Sequence, residues 1–193
     1  LCILNNLTPR LYQETIFATA SLHHTLVVLP TGLGKTGIAL MLASHRLQQY
    51  PQSKILILAP TKPLVDQHVE TLRKHLSWSE TDLQEKIVLF TGAVSPEKRA
   101  ELWKNAGIIV STPQGLENDV ISRRISLEDV SLLVFDEAHR AVGDYSYVWL
   151  AKRYDTVARW PRILALTASP GDDLEKIQEI LTNLFIQEIE VRI

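Results

Sequence analysis

Leu29-Pro30-Thr31-Gly32-Leu33-Gly34-Lys35-Thr36 joins an apolar run, Leu26-Val27-Val28-Leu29, to a helical pattern that begins near Gly37. Strand, tight glycine turn and helix are the context of a phosphate-binding loop. The glycines let the backbone curl until several N–H groups point at one anion. The helix that follows adds the positive end of its dipole. In such a loop Lys35 reaches the β- and γ-phosphates, and the Thr36 hydroxyl ligates Mg²⁺. Thr31, Gly32, Leu33 and Gly34 supply the cradle. The common pattern places a glycine where this chain has Leu29.

Further short apolar runs lie on either side of the loop. They are Ile55–Ala59, Ile87–Phe90, Ile108–Val110, Leu132–Phe135 and Ile163–Leu166, with a partly alternating Ile186–Ile193 at the end. Helical patterns separate them. Thr8-Pro9 reads as cap and first residue of a helix with Leu11, Ile16 and Ala20 as its buried stripe. Leu64 to Leu76 reads as another helix, and Ser95-Pro96 and Thr112-Pro113 open two more. Asp172-x-x-Glu175 resembles a capping box before a helix carrying Leu174, Ile177, Ile180, Leu181 and Leu184. Near-continuous apolar strands alternating with helices predict an α/β domain: a mostly parallel sheet of about seven strands with helices on both faces. The last run is expected at the sheet edge. Without a repeat, low-complexity tract or linker, residues 1–193 read as one domain.

Composition narrows the function. The net charge of −2 rules out nucleic-acid binding by bulk electrostatics, so a strand would have to meet a local patch. Cys2 is the only cysteine, which excludes internal disulfides and cysteine-based zinc sites. No apolar run has the length of a membrane span, and no membrane partner is expected. A reducing intracellular compartment follows: cytoplasmic in a prokaryote, nuclear in a eukaryote. The chain starts at Leu1 and its only methionine is Met41, so a piece of a longer protein is expected. His23, His24, His45, His68 and His75 show no metal spacing and read as solvated or capping residues. Tyr145, Tyr147 and Trp149 read as core packing of a short helix, with a partner surface as the alternative.

Asp136-Glu137-Ala138-His139 follows the apolar strand Leu132–Phe135. By itself an Asp-Glu pair is equally a solvated turn. After a phosphate loop it is the second half of a nucleotide site. Asp136 then holds Mg²⁺ opposite Thr36, and Glu137 polarises the water that attacks the γ-phosphate. His139 is placed to sense the γ-phosphate.

Thr31–Thr36, Ala59-Pro60-Thr61-Lys62-Pro63-Leu64, Ser111-Thr112-Pro113-Gln114, Asp136–His139 and Thr167-Ala168-Ser169 together resemble motifs I, Ia, Ib, II and III of superfamily 2 helicases. The Thr-Gly-x-Gly-Lys-Thr form of the loop, with Leu29 before it, is that superfamily's version. Asp136 to Tyr147 and Leu166-Thr167-Ala168-Ser169-Pro170-Gly171 are similar to the archaeal Hef and Fanconi anaemia group M family of fork-remodelling DNA helicases. The resemblance implies the N-terminal RecA-like motor domain of an ATP- and Mg²⁺-dependent helicase acting on forked, branched or single-stranded DNA. It implies that Gln13 reads adenine, its amide both donating and accepting, with Arg10 or Tyr12 flanking the base. It assigns a nucleic-acid strand to Pro60, Thr61, Lys62, Gly92, Thr112, Pro113 and Gln114, although Thr-Pro is also a routine helix cap. Thr167 and Ser169, with His139, become the link between γ-phosphate and strand.

The family closes a second RecA-like domain over the nucleotide, with arginines in a Gln-x-x-Gly-Arg-x-x-Arg motif. No glycine here is followed by arginine. This chain alone is therefore expected to bind ATP and DNA weakly and to turn over slowly. A superfamily 2 RNA-sensing or RNA-remodelling ATPase and a non-hydrolysing ATP-binding scaffold are the alternatives.

Overall fold

The structure, a computed structural model, describes residues 8–30 and 34–192. Thr31, Gly32 and Leu33 of the phosphate loop lie outside the described residues. Seven strands form one sheet: β1 (Thr25–Val28), β2 (Lys54–Leu58), β3 (Ile87–Phe90), β4 (Ile108–Ser111), β5 (Val130–Phe135), β6 (Ile163–Thr167) and β7 (Glu188–Val191). Their order is β3-β4-β2-β5-β6-β1-β7, and every pair is parallel. Five of the six apolar runs become central strands with both faces covered, and the sixth, β3, forms one edge. β7 takes the other edge, as its half-alternating pattern predicts.

The helices are α1 (Leu11–Leu22), α2 (Lys35–Gln49), α3 (Lys62–His75), α4 (Glu80–Lys86), α5 (Pro96–Asn105), α6 (Pro113–Ile121), α7 (Ser146–Val157) and α8 (Leu174–Asn183), with a 3₁₀ turn at Ala138–Arg140. Two apolar cores sit on opposite faces of the sheet. One packs Ile16, Ile38, Leu42, Val65 and Leu72 of α1, α2 and α3 against Val27, Ile57, Val134 and Leu166. The other packs Trp103, Leu116, Tyr147, Tyr154 and Ile180 of α5 to α8 against Leu56, Leu133 and Ala165.

Three local readings shift. Helix α1 is capped at Arg10 instead of Thr8, because the Gln13 Oε1 accepts the Arg10 N–H at 2.8 Å. Its buried stripe is Gln13, Ile16 and Ala20, spaced i, i+3, i+7, and Leu11, five residues before Ile16, is 79% exposed. Asp173, one residue later than expected, caps α8 by accepting from Glu175 N and Lys176 N. Leu174 then turns to solvent, while Ile180 and Leu184 go inward. Helix α4 is not expected from the sequence, because it buries none of its residues fully and only its Ser79 cap marks it.

An ion pair ties α5 to α6. Asp119 is fully buried, and both its oxygens take Arg99, at 2.6 and 2.9 Å. The hydrogen bond to Asp119 raises the already high Arg99 pKa. Among the described residues no helix is long and apolar enough to cross a membrane.

Candidate functional site

The sheet order divides its C-terminal rim into two halves. The adjacent strands β1, β6 and β5 end in the phosphate loop, in Thr167–Ser169 and in Asp136-Glu137. The adjacent strands β2, β4 and β3 end in Pro60–Lys62, Thr112–Gln114 and Gly92. Ligands of open parallel sheets bind at this rim. Residues far apart in the chain thus gather into a nucleotide half and a candidate strand half.

A cleft of about 500 Å³ opens on the nucleotide half. Gly34, Lys35, Thr36, Asp136, Glu137 and Thr167 line it, and Leu64, Gln67, His68 and Thr71 of α3 form a wall. Gly34 caps α2 at φ +86°, and a Cβ built there would run into Gln13 Nε2. Glycine is required there on both counts. Lys35 Nζ donates to the Leu29 carbonyl at 2.7 Å, so the ammonium rests on the strand that leads into the loop.

Asp136 is held at each end of its carboxylate. Oδ1 accepts the Glu137 N–H at 2.9 Å, and Oδ2 lies 2.7 Å from His68 Nε2. Its backbone is fixed as well. Asp136 N donates to the Leu58 carbonyl, and the Tyr147 hydroxyl donates to the Asp136 carbonyl at 2.6 Å. Burial, with Tyr145 and Asp136 close by, pushes the Tyr147 phenol far above its ordinary pKa and keeps it a donor. Tyr147 is therefore a buried strut, as core packing predicts; Tyr145 and Trp149 are half-buried. Glu137 adopts the left-handed conformation at φ 53°, ψ 48°. For a non-glycine residue this costs roughly 1–2 kcal/mol, and such strain clusters at functional sites.

His139 joins the ends of β5 and β6. Its Nδ1 is 3.1 Å from Thr167 Oγ1, and its Nε2 is 3.4 Å from Glu137 Oε2. The Thr167 hydroxyl donates to the Ser169 carbonyl at 3.0 Å and accepts from Ser169 N at 3.2 Å. Thr167 and His139 share one further hydrogen bond, whose donor is set by the His139 tautomer. The three residues expected to link phosphate and strand are brought into one network.

Gln13 is buried and doubly engaged, with Nε2 donating to the Gly34 carbonyl at 3.1 Å and Oε1 accepting from Arg10 N. Each of those bonds uses one of two sites, so the amide keeps a second N–H and a second lone pair for another partner. Arg10 is exposed, whereas Tyr12 packs against the core.

On the strand half, Thr61, Lys62, Gly92 and Gln114 are exposed, and Pro60 and Thr112 are half-buried. Pro113 is buried at the first position of α6, so only the backbone of that helix start faces the rim. The two Thr-Pro-like turns differ. Thr61 caps α3 by accepting from Leu64 N, while the Thr112 hydroxyl makes no cap bond. Lys62 pairs with Asp66 at 2.8 Å on the surface.

His68 was expected to be solvated or capping; it is buried against Asp136 instead. Its place on α3 gave no sequence signal beyond its polarity among Val65, Val69 and Leu72. His24 is also not a solvated residue: its Nδ1 accepts the Ile163 N–H at 3.0 Å, and burial beside Arg162 lowers its pKa to about 4.

The donor set suits a magnesium nucleotide. No three His, Cys, Asp or Glu side chains among the described residues converge on a metal position. One hydroxyl, Thr36, and one carboxylate, Asp136, on a phosphate cleft fit an ion whose other ligands are phosphate oxygens and water.

The DEAD/DEAH box helicase family model matches residues 10–177. The chain belongs to that family. A Methanocaldococcus jannaschii protein named as an ATP-dependent RNA helicase is 46% identical over 96% of this chain and 23% of its own length. The DEAD-box ATP-dependent DNA helicase Fancm of Drosophila melanogaster is 39% identical over 97% of this chain and 13% of its own. The crystal structure of the Pyrococcus furiosus Hef helicase domain superposes with a TM-score of 0.90 at 54% identity, covering 95% of this chain and 38% of that one. The chain therefore has the RecA-like helicase fold of Hef, and it spans under a quarter of the length of these curated relatives.

Proposed function

We propose that this member of the DEAD/DEAH box helicase family is the ATP-binding motor domain, one domain over residues 1–193, of a DNA helicase or translocase that works on forked or branched DNA in replication-fork repair. The observation that carries the reading is the gathering of Lys35, Thr36, Asp136 and Glu137 onto one cleft at the ends of β1 and β5. The Hef-like fold and the DNA helicase relatives favour DNA. Its place is intracellular: the cytoplasm in a prokaryote, the nucleus in a eukaryote.

Each residue then has a task. Lys35 leaves the Leu29 carbonyl for the β- and γ-phosphates, and the loop backbone at Thr31, Gly32, Leu33 and Gly34 cradles them. Thr36 and Asp136 hold Mg²⁺, which when bound neutralises phosphate charge. Glu137 accepts a proton from water as its oxygen bonds the γ-phosphorus and the bond to the β-γ bridging oxygen breaks, leaving ADP and phosphate. Gln13 turns its amide to adenine with Arg10 beside it. His139, Thr167 and Ser169 report the γ-phosphate to the rim. Pro60, Thr61, Lys62, Gly92, Thr112, Pro113 and Gln114 form the positions that contact the strand's backbone, without reading sequence.

The arginines that complete the site belong to a second RecA-like domain. Arginine fingers contribute about 10³–10⁵ in rate in related phosphoryl transfers. The 193-residue chain alone should therefore bind ATP and DNA weakly, hydrolyse slowly and not unwind DNA. Turnover equal to that of the full-length protein would refute this. An RNA substrate is the second reading, favoured by the names of the Methanocaldococcus and Arabidopsis relatives. A non-hydrolysing scaffold is disfavoured by intact Lys35, Thr36, Asp136 and Glu137. ATPase assays of the full-length protein with forked DNA, single-stranded DNA or double-stranded RNA decide. Stimulation by forked DNA above the others is expected, and stimulation by RNA alone would overturn the DNA assignment.

A further inference from the structure

We propose that His68 is a positioning residue for Asp136, and that through it helix α3 couples strand binding at one half of the rim to Mg²⁺-nucleotide binding at the other. The coupling clause rests on the strand-binding role proposed for Thr61 and Lys62.

The argument begins with the carboxylate. Asp136 Oδ1 takes a backbone N–H from Glu137, and Oδ2 takes His68 Nε2 at 2.7 Å. A carboxylate only accepts, so Nε2 carries the hydrogen. Backbone alone fixes one oxygen; the other depends on a side chain from a different element. Removing His68 leaves rotation of the carboxylate about its Cβ–Cγ bond opposed by the Glu137 N–H alone. Removing a group that orients a metal-binding side chain from behind typically costs about 10- to 100-fold in metal affinity or activity.

The second link is helix α3 itself. It spans Lys62–His75 and has two faces with different duties. Val65, Val69 and Leu72 are buried in the core shared with α2. Leu64, His68 and Thr71 wall the nucleotide cleft. Its N-terminus lies on the strand half, where Thr61 and Lys62 are exposed at the end of β2. Six residues separate Lys62 from His68, about 9 Å of helix. A helix of this length moves as a body, so a shift that accompanies strand contact at Thr61-Lys62 reaches Nε2 without a chain of intermediates. β2 and β5 are neighbours, which puts the pull directly on the strand that carries Asp136. The coupling must be reciprocal, so the factor by which DNA tightens nucleotide equals the factor by which Mg²⁺-nucleotide tightens DNA.

The test uses the full-length protein, a fluorescent non-hydrolysable ATP analogue, and His68→Ala and His68→Gln. A glutamine amide reaches about as far as Nε2 and can donate the same hydrogen bond. Nucleotide affinity is measured in Mg²⁺ and in EDTA, each with and without single-stranded DNA. Expected is a loss of about ten-fold in the Mg²⁺-dependent affinity of His68→Ala, with EDTA affinity within about two-fold of wild type and His68→Gln restored to within about three-fold. The tightening by DNA should fall towards one in His68→Ala and return in His68→Gln. Unchanged Mg²⁺ dependence in His68→Ala overturns the positioning role. Lost Mg²⁺ dependence with an intact DNA effect overturns the coupling. If wild type shows no DNA effect, the strand-binding reading and the coupling both fall, and the Mg²⁺ arm, which needs no nucleic acid, still decides the positioning role. Failure of His68→Gln to rescue makes the residue merely structural.

Discussion

Gly34→Ala is the sharpest perturbation of the phosphate loop. Gly34 sits at φ +86°, where an alanine costs roughly 1–2 kcal/mol. The new Cβ would also collide with Gln13 Nε2, which now donates to the Gly34 carbonyl at 3.1 Å. Gln13 is buried and must give way, forfeiting a hydrogen bond of about 1 kcal/mol. The total is about 2–3 kcal/mol, or about 30- to 150-fold in an equilibrium constant. Where it appears depends on the free loop. If alanine lets the loop relax, the cost returns when nucleotide reimposes the native turn, and affinity falls. If the loop is held, folding stability falls. The sum over both measurements is fixed. Fluorescent-nucleotide titration and urea unfolding of wild type and Gly34→Ala therefore give one number between them. Repeating the substitution in Gln13→Ala removes the collision and should leave only the backbone part, a coupling of about 1 kcal/mol. A summed cost below about 1 kcal/mol would refute the turn geometry. Equal costs in both backgrounds would refute the collision.

Glu137→Gln keeps size and hydrogen bonding but removes the proton acceptor; kcat in the full-length protein should fall by about 10²–10⁴ with nucleotide affinity retained. Asp119→Ala leaves the buried Arg99 guanidinium without its carboxylate and should cost about 3–5 kcal/mol in urea unfolding, and a loss under about 1 kcal/mol would contradict the pairing. His24 has a folded pKa of about 4, below its ordinary value, so its contribution is complete above about pH 6.5 and is lost as pH falls towards 4. Discounted for partial exposure, that is ~1–2 kcal/mol, seen as acid-side destabilisation that His24→Gln should flatten.

Six strands were legible because each is an apolar run too short for a helix and bounded by turn residues, and β7 because its polar and apolar residues alternate. The parallel sheet followed from helices between them. The order of the strands was not legible, since no local pattern says that two later strands, β5 and β6, insert between β1 and β2. That order is what separates the two halves of the rim. Helix ends were legible where a cap and a proline fixed the first turn, at Pro96 and Pro113, while α3, expected from Leu64, starts at Lys62. They shifted where a long side chain supplied the cap, as Gln13 does for Arg10. The motif residues Lys35, Thr36, Asp136 and Glu137 were readable because spacing along one strand end is local. His68 was not, because its partner is 68 residues away. The Arg99–Asp119 pair escaped for the same reason.

The geometry around Asp136 explains why its neighbours belong to both cores. A metal-holding carboxylate at the end of a strand must resist two motions, rotation of the side chain and sliding of the strand. His68 and the Glu137 N–H oppose the first. The Leu58 carbonyl and the Tyr147 hydroxyl oppose the second. His68 comes from α3 on one face of the sheet and Tyr147 from α7 on the other. Tyr145, edge-on to Tyr147 at 5.0 Å, lies within hydrogen-bonding reach of Gln114, a strand-half residue at the start of α6. Asp136 is thus braced from both faces by helices or side chains that also touch the candidate strand half. On the proposed function, this reach is what would let strand contact at one half of the rim be felt at the carboxylate proposed to hold Mg²⁺ at the other.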